Sequence, residues 1–230
     1  MYKRQVLADL EIVERKLDRG RKERANPLEL AAFERIRAAL EEERPVRSIP
    51  PDQLNREVLR GFALLTERPL LVALNTAEEN AGAPMPAELE ARVRDLDAAG
   101  LVLSAALEAE IASLPADEQG PFLEELGLEQ PALHRFIRAA YALLDLISFF
   151  TVGEDEVRAW TIRRGMHARE AAGRIHSDLE RGFIRAEVTP CDVFMEHGSE
   201  QAVKDHGRLQ VEGKDYVVAD GDILSIRFKV

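Results

Sequence analysis

The 230-residue sequence predicts an α+β protein built from three consecutive units. Apolar residues recur at helical spacing near the start, strand and helix patterns alternate in the middle, and short β runs surround helices at the end. Charge changes at the same places: the net charge is +2 for residues 1–68, −10 for residues 69–146 and −3 for residues 147–230. We therefore expect unit boundaries near residues 68 and 146.

The first unit, residues 1–68, is predicted to be a helical hairpin. One apolar seam at 4-3-4 spacing marks a first helix, formed by Val6, Leu10, Val13 and Leu17. Gly20 and the Asn26-Pro27 pair are expected to interrupt the pattern, and Pro27 suits the start of a second helix. Further apolar positions continue that helix and form a shorter third stripe: Phe33, Ile36, Leu40, then Leu54, Val58, Phe62 and Leu65.

The predicted hairpin tip is basic. It contains the four cations Arg19, Arg21, Lys22 and Arg24. A run of charges between two helices is typical of a solvated turn. The same cluster could instead contact RNA or another polyanion.

The middle unit, residues 69–146, follows a strand–helix–strand pattern. A strand at 69–75 precedes a helix through Leu89, Val93 and Leu96 that Gly100 is expected to end, and a second apolar strand begins at 101 in "LVLSAALE". This is a βαβ crossover, which places the loops after both strands at one edge of a parallel sheet. Two further helices are expected at 121–126 and 132–146.

The last unit, residues 147–230, predicts a small mixed sheet. "SFFTVG" and "VRAWTIRRG" form a hairpin signal, and "AREAAGRIHSDLERG" predicts a helix ended by Gly182. The strand "FIRAEV", a helical piece at 193–206 and the two β runs "DYVVA" and "ILSIRFKV" complete the pattern.

These segments, in this order, resemble the C-terminal region of the YchF/Obg-like ATPase family. "VLADLEIVERKLDR" resembles the start of the family's helical arm, and "PLLVALNTAEE" and "LVLSAALEAEIASL" resemble the closing strands of its P-loop nucleotide domain. The stretch from "FFTVGEDEVRAW" onward resembles its TGS domain, a ubiquitin-like β-grasp module. The resemblance implies a helical arm at 1–68, the C-terminal portion of the nucleotide-binding domain at 69–146 and a TGS domain at 147–230.

The family's phosphate-binding motif is not found in this sequence. The motif G-x-x-x-x-G-K-[ST] does not occur, and the only Gly-Lys pair, Gly213-Lys214, is followed by Asp215. The resemblance implies ATP with Mg²⁺ as cofactor of the complete family protein, whereas here we expect no catalytic residue and no metal ligand. We interpret the sequence as a member truncated at its N-terminus. Alone, it is expected to be inactive as an ATPase, and the alternative is a catalytically inert RNA- or ribosome-binding module.

Asn75, Thr76 and Glu78 follow the first strand and match the family's base-reading loop. In related GTPases an Asp carboxylate accepts from the N1–H and amino donors of guanine, but Glu78 is one methylene longer and cannot occupy the same point without backbone movement. Asn75 could donate to N7 and accept from the 6-amino group, the pattern that suits adenine. Ser104 and Ala105 match the second base-contacting loop, whose backbone N–H supports the base. The residues alone also allow a structural interpretation. Residues 75–78 would then form a capped turn after the strand, and Ser104 would be a helix N-cap with Glu108 in the first turn.

Residues 158–185 are rich in arginine. Seven arginines stand against three acids there, and Arg163, Arg164 and Arg174 are the candidates for RNA contact. A solvated surface is the alternative. Trp160 lies within the segment and is expected in the core.

The composition restricts which partners, cellular location and metal sites we expect. A net charge of −11 argues against indiscriminate nucleic-acid binding, and no DNA specificity is evident. The apolar runs are too short for a membrane span, so no membrane partner is expected. The single cysteine, Cys191, allows no internal disulfide and fits a cytoplasmic protein. The five histidines show no metal-ligand spacing.

Overall fold

Two units of the chain fold around separate cores, one comprising residues 1–143 and the other residues 144–230. The computed structural model describes residues 2–23, 25–153 and 156–229. The helical hairpin and the βαβ segment both belong to the first unit. The α+β fold class is confirmed, whereas the three-domain division stays a prediction.

The hairpin consists of α1 (Tyr2–Glu23) and α2 (Pro27–Glu41). Asn26 caps α2, because its side-chain oxygen accepts a hydrogen bond from Leu28 N at 2.9 Å. The expected seams pack into one core, which includes Val13 and Phe33. Gly20 does not interrupt α1: it lies where the two helices approach closely, and a Cβ there would lie only 2.7 Å from Leu30 Cδ2.

The third apolar stripe was expected to be helical, and that expectation is wrong. The segment contains only short 3-10 turns at Val46–Ser48, Arg56–Leu59 and Leu65–Glu67. Within the stripe, Gly61 interrupts a continuous helix, because its φ of +92° lies in the left-handed region. Leu54 is nevertheless buried in the hairpin core, and Val58 and Phe62 pack against it, whereas Leu65 is 42% exposed.

The βαβ crossover is confirmed. Strands β1 (Leu71–Asn75) and β2 (Ala99–Leu103) are parallel, and α3 (Ala87–Asp95) connects them. Gly100 was expected to end α3 but lies in β2, opposite Val72. The turn before β2 instead contains Asp97, whose φ is +48°. Gly100 is suited to the strand because a Cβ there would meet Met85 Cε at 2.8 Å.

Three helices follow β2 in the first unit: α4 (Ala105–Ser113), α5 (Ala116–Glu125) and α6 (Ala132–Leu143). The second strand is therefore shorter than expected, because the chain turns into α4 directly after Ser104. Within the described ranges, no helix combines the length and the apolar character needed to cross a bilayer.

The second unit is a five-stranded mixed sheet with helices. Its elements are β3 (Leu146–Val152), β4 (Val157–Arg163), α7 (Ala168–Ile175), α8 (Ser177–Arg181), β5 (Phe183–Pro190), α9 (Cys191–His197), α10 (Glu200–Asp205), β6 (Gln210–Glu212) and β7 (Asp222–Phe228). The sheet order is β4-β3-β7-β5-β6. Only the central β3–β7 pair is parallel. Ile147, Phe149 and Leu224 form a core with Ala168 and Ala171 of α7.

Local details of the second unit differ from expectation. The predicted helix at 168–181 breaks at His176, whose backbone is extended, and the helical piece at 193–206 divides at Gly198, with φ +76°. "DYVVA" contributes only an isolated bridge between Val217 and His167. Trp160 was expected in the core; it packs against the core but is only half-buried, on the edge strand β4, and its indole N–H donates to Thr151 Oγ1 at 3.0 Å.

Candidate nucleotide-base site and basic surfaces

The loops after β1 and β2 are joined by a side-chain hydrogen bond. Asn75 Oδ1 accepts from the backbone N–H of Ala105 at 2.9 Å. Asn75 is the last residue of β1, and Ala105 is the first residue of α4, two residues after β2. The parallel pairing brings both positions to the carboxyl edge of the sheet, where ligands bind in open α/β folds. The two loops that were predicted to contact one base are therefore adjacent.

Thr76 continues the contact between the two strands. Its backbone N–H donates to Leu103 O at 2.8 Å, and its hydroxyl donates to the same oxygen at 3.2 Å. Thr76 is thus fixed against β2 rather than directed outward. Glu78, in contrast, is exposed at the start of a 3-10 turn, Glu78–Asn80.

Ser104 is the N-cap of α4, which was the alternative to a base-contacting role. Its buried hydroxyl accepts from Leu107 N at 3.4 Å. Glu108, in the first turn, accepts from Ala132 N at 2.7 Å and thereby caps α6. The local sequence could not predict this second contact, because it joins α4 to α6 across the intervening helix α5.

The hydrogen bond between Asn75 and Ala105 changes what each group can offer a ligand. The Ala105 N–H donates to Asn75 and is not the free donor that the sequence comparison implied. With Oδ1 turned toward Ala105, the Asn75 amide presents its NH₂ group, which suits an acceptor such as purine N7. Adenine and guanine share N7, so Asn75 would recognise a purine, and selectivity would depend on neighbouring groups such as Glu78.

The described residues form no cluster of metal-binding side chains. They contain no group of three or more histidine, cysteine, aspartate or glutamate side chains that could hold a metal ion. Gly213-Lys214, the only Gly-Lys pair, lies between β6 and β7 rather than between a strand and a helix.

The hairpin tip is only partly free to bind an anion. Arg21 forms an ion pair with Glu34 of α2, so its charge is compensated within the fold. Arg19 and Lys22 are exposed near the end of α1. Arg24 lies outside the described residues.

The arginines of the second unit do not form a single array. Ile162 is buried against α7, so Arg163, the next residue of β4, points to the opposite face of the sheet. Arg174 lies on the exposed side of α7, and Arg164 is paired with Asp145 at 3.3 Å. Arg158 stacks over the Trp160 ring at 4.3 Å. RNA contact by these residues stays a prediction.

Comparisons with known proteins match this chain to members of one family. Residues 146–229 match a family model described as "YchF-GTPase_C: Protein of unknown function (DUF933)". The "Ribosome-binding ATPase YchF" of Bacillus subtilis is 40% identical over 98% of this chain, and the chain spans 64% of that relative's length. Human "Obg-like ATPase 1" is 42% identical over 75% of this chain and 44% of its own length.

A solved structure is also similar to this chain. The Schizosaccharomyces pombe YchF GTPase superposes with a TM-score of 0.83 at 29% identity, over 98% of this chain and 64% of that one.

Proposed function

The chain belongs to the YchF family, and from that membership we propose that it supplies the base-recognition edge and the ribosome-contacting parts of an ATPase. ATP is the proposed nucleotide, and a ribosome or its RNA is the proposed partner, in the cytoplasm. The proposed base site consists of Asn75, Thr76, Glu78, Ser104 and Ala105, of which Asn75 and Glu78 are proposed to contact the base directly. The names of the relatives support this proposal, although each relative is longer than the chain.

The 2.9 Å hydrogen bond between Asn75 and Ala105 carries the proposal for the base site. It holds two loops from separate strands at one edge, so a flat ligand could contact both. Thr76 and Ser104 act in this proposal as supports, since their hydroxyl groups are bonded to the fold. The Asn75 NH₂ group supplies the direct contact, and exposed Glu78 supplies discrimination between purines.

Replacing Asn75 with Asp separates the structural role from the binding role. Asp keeps an acceptor for Ala105 N–H but removes the NH₂ donor and places a carboxylate near the N7 lone pair. We expect N75D to fold normally and to lose the chemical-shift changes that millimolar ATP causes at residues 75–78 and 104–106. Amide NMR spectra recorded during titration with ATP and then GTP provide the measurement.

The control for this titration is Asn80→Asp, which makes the same chemical change at an exposed position of the adjoining turn. N80D should respond to ATP as the unmodified chain does. Unchanged ATP shifts in N75D would refute the proposed base contact.

The second part of the proposal concerns the C-terminal unit as a TGS domain that contacts ribosomal RNA. Arg163 and Arg174 are exposed, and Arg164 forms only a solvent-exposed ion pair, which is worth little. All three can therefore turn toward phosphate groups. Residues 69–146 should contribute little to this contact, because their net charge is −10.

Charge reversal tests the ribosome contact. Arg163, Arg164 and Arg174 are changed together to Glu, and cosedimentation with ribosomes is measured across a series of salt concentrations. The control reverses Arg92, Arg94 and Arg138, three exposed arginines of the acidic segment. We expect only the first variant to bind more weakly and to show a smaller dependence on salt. Equal loss in both variants would point to net charge alone.

A catalytically inert RNA- or ribosome-binding module is the second candidate. The sequence around Gly213-Lys214 favours it, because that pair lies in a loop between strands and Asp215 stands where Ser or Thr would bind Mg²⁺. On this proposal the chain releases no phosphate from ATP above background in the presence of Mg²⁺ and ribosomes. Turnover that a substitution at Asn75 abolishes would contradict it.

A further inference from the structure

A groove of about 420 Å³ runs along one face of α1. Its lining consists of Ile12, Arg15, Lys16, Arg19, Glu23 and Phe62. The five helical residues recur at intervals of three or four, so they share one face of α1, and Phe62 reaches this face from the segment after the hairpin. The groove therefore combines apolar, aromatic and cationic groups.

The aromatic wall is held in place by the core. The Phe62 ring meets the buried Phe33 ring edge-on, with centroids 4.9 Å apart. Lys16 Nζ lies 5.6 Å from the centroid of Phe62 and forms an ion pair with Glu29 at 2.8 Å. The charge of Lys16 is thus compensated within the fold, and its position helps to fix the ring.

The rim carries the cations available to a ligand. Arg15 and Arg19 are one helical turn apart, about 6 Å along the axis. The contact of Arg15 with Glu11 is 3.7 Å long and lies within the same helix, between two side chains that are each about 70% exposed. Such a pair is weak and is readily exchanged for a phosphate. Arg19 is exposed at the same rim.

We propose that this groove binds one nucleotide of single-stranded RNA, with the base against Phe62 and Ile12 and the phosphates on Arg15 and Arg19. This inference rests on the proposed ribosome contact and assigns a part of it to α1. Aromatic rings stack on any base, and arginines beside the ring neutralise the backbone, which is the usual pattern of single-strand binding. An acidic peptide would use the arginines but would leave the aromatic wall without a planar partner.

Glu23 limits the length of the site. Its carboxylate lines the far end of the groove, one turn beyond Arg19. A further phosphate there would be repelled, so the groove fits a short single-stranded stretch rather than a long backbone track.

The test measures fluorescence anisotropy of a labelled 12-nucleotide oligouridine with the full chain across a series of salt concentrations. Changing Arg15 and Arg19 together to Gln should reduce the affinity at least tenfold. It should also reduce the slope of log K against log salt by about 1.4, since each phosphate contact on a single strand contributes about 0.7. Phe62→Leu should reduce affinity roughly tenfold through lost stacking, with the slope unchanged.

Two controls accompany these variants. Arg4→Gln combined with Arg60→Gln removes the same charge from exposed positions that do not line the groove and should bind as the unmodified chain does. Phe62→Tyr keeps a ring in the wall and should retain binding, which separates stacking from any loss of stability in Phe62→Leu.

Three results would overturn the inference. They are equal binding by the groove variants and the unmodified chain, equal weakening in the R4Q/R60Q control, and full competition by polyglutamate, which would indicate an acidic protein ligand. If reversal of Arg163, Arg164 and Arg174 abolishes binding while the groove variants bind normally, the groove proposal fails but the ribosome proposal stands. If the unmodified chain binds no RNA, both fail.

Discussion

Asp9 Oδ2 accepts a hydrogen bond from the backbone N–H of Thr66 at 2.7 Å, and both residues are fully buried. The other carboxylate oxygen accepts from Leu65 N at 2.8 Å. Thr66 Oγ1 in turn accepts from Val46 N at 3.2 Å. One side chain of α1 thereby positions the segment that leads into β1, whose last residue is Asn75.

Arg47 also holds the segment that precedes β1. Its guanidinium donates to Leu96 O at 2.6 Å and to Thr66 O at 3.1 Å. Leu96 precedes β2 and Thr66 precedes β1, so the starts of both strands are tied to the base of the hairpin.

Replacing Asp9 with Ala should destabilise the first unit by about 2–4 kcal/mol, because two backbone N–H groups would lose their acceptor in a buried environment. Urea denaturation followed by circular dichroism measures the change. Asp18→Ala, an exposed position on the same helix, is the control and should change stability by less than about 0.5 kcal/mol. Equal effects in the two variants would show that the hydrogen bonds to residues 65 and 66 contribute little.

Gly182→Ala should destabilise the second unit by about 1–3 kcal/mol. A Cβ at this position would overlap with the backbone carbonyl oxygen of Lys229, and Lys229 N donates to Gly182 O at 2.9 Å, so neither strand can move away easily. The thermal midpoint of the second unit is the measurement. Gly213→Ala is the matched control, since a Cβ there has no atom within 4 Å. A normal midpoint for G182A would contradict this view of the close contact.

The stability of the second unit should fall as pH rises from about 10 to 12. Burial, followed by the hydrogen bond from its hydroxyl to Asp222, raises the pKa of Tyr216 from 10.0 to about 12. The folded state therefore favours the protonated phenol. Its contribution is complete below pH 10 and is lost as pH approaches 12.

Tyr216→Phe isolates this contribution, because Asp222 Oδ2 still accepts from Ala219 N at 2.8 Å. The difference in stability between the unmodified chain and Y216F should shrink across the interval from pH 10 to 12. A constant difference would show that the phenol does not titrate with unfolding. Absorbance of the tyrosinate gives the pKa of Tyr216 directly.

Backbone amides of β1 and β2 should exchange with solvent faster than those of β3 and β7. β1 has no fully buried residue, and its sheet has two strands, whereas Ile147, Phe149 and Leu224 are nearly inaccessible within a sheet of five. Amides protected only by local contacts open with little free energy. Hydrogen exchange followed by mass spectrometry tests this. Equal protection in the two sheets would contradict it.

Patterns in the local sequence were sufficient to predict most of the helices and strands. The apolar seams predicted α1 and α2, and the strand–helix–strand pattern predicted the parallel pair β1 and β2. Regular periodicity works because one face of each element must be buried, which constrains residue type at each turn or every second position. The same local chemistry identified Pro27 as the start of α2 and offered Ser104 as a helix N-cap.

Tertiary structure decided the features that depend on residues distant in sequence. Gly20 and Gly100 both resembled helix ends, but each lies inside an element, at a point where another side chain, Leu30 or Met85, approaches the backbone. Leu54 joins the core without belonging to a helix. A side chain's neighbours, rather than its own periodicity, determine these outcomes.

The candidate site likewise has some features that the sequence predicts and others that only the structure shows. The sequence by itself determined that Asn75 and Ser104 stand at the ends of two parallel strands, because strand pairing follows from the crossover pattern. Only the folded structure decided that Asn75 uses its oxygen on Ala105 and that Arg163 and Arg174 face different directions. The physical reason is that hydrogen-bond partners and surface orientation depend on how elements pack, which no local pattern specifies.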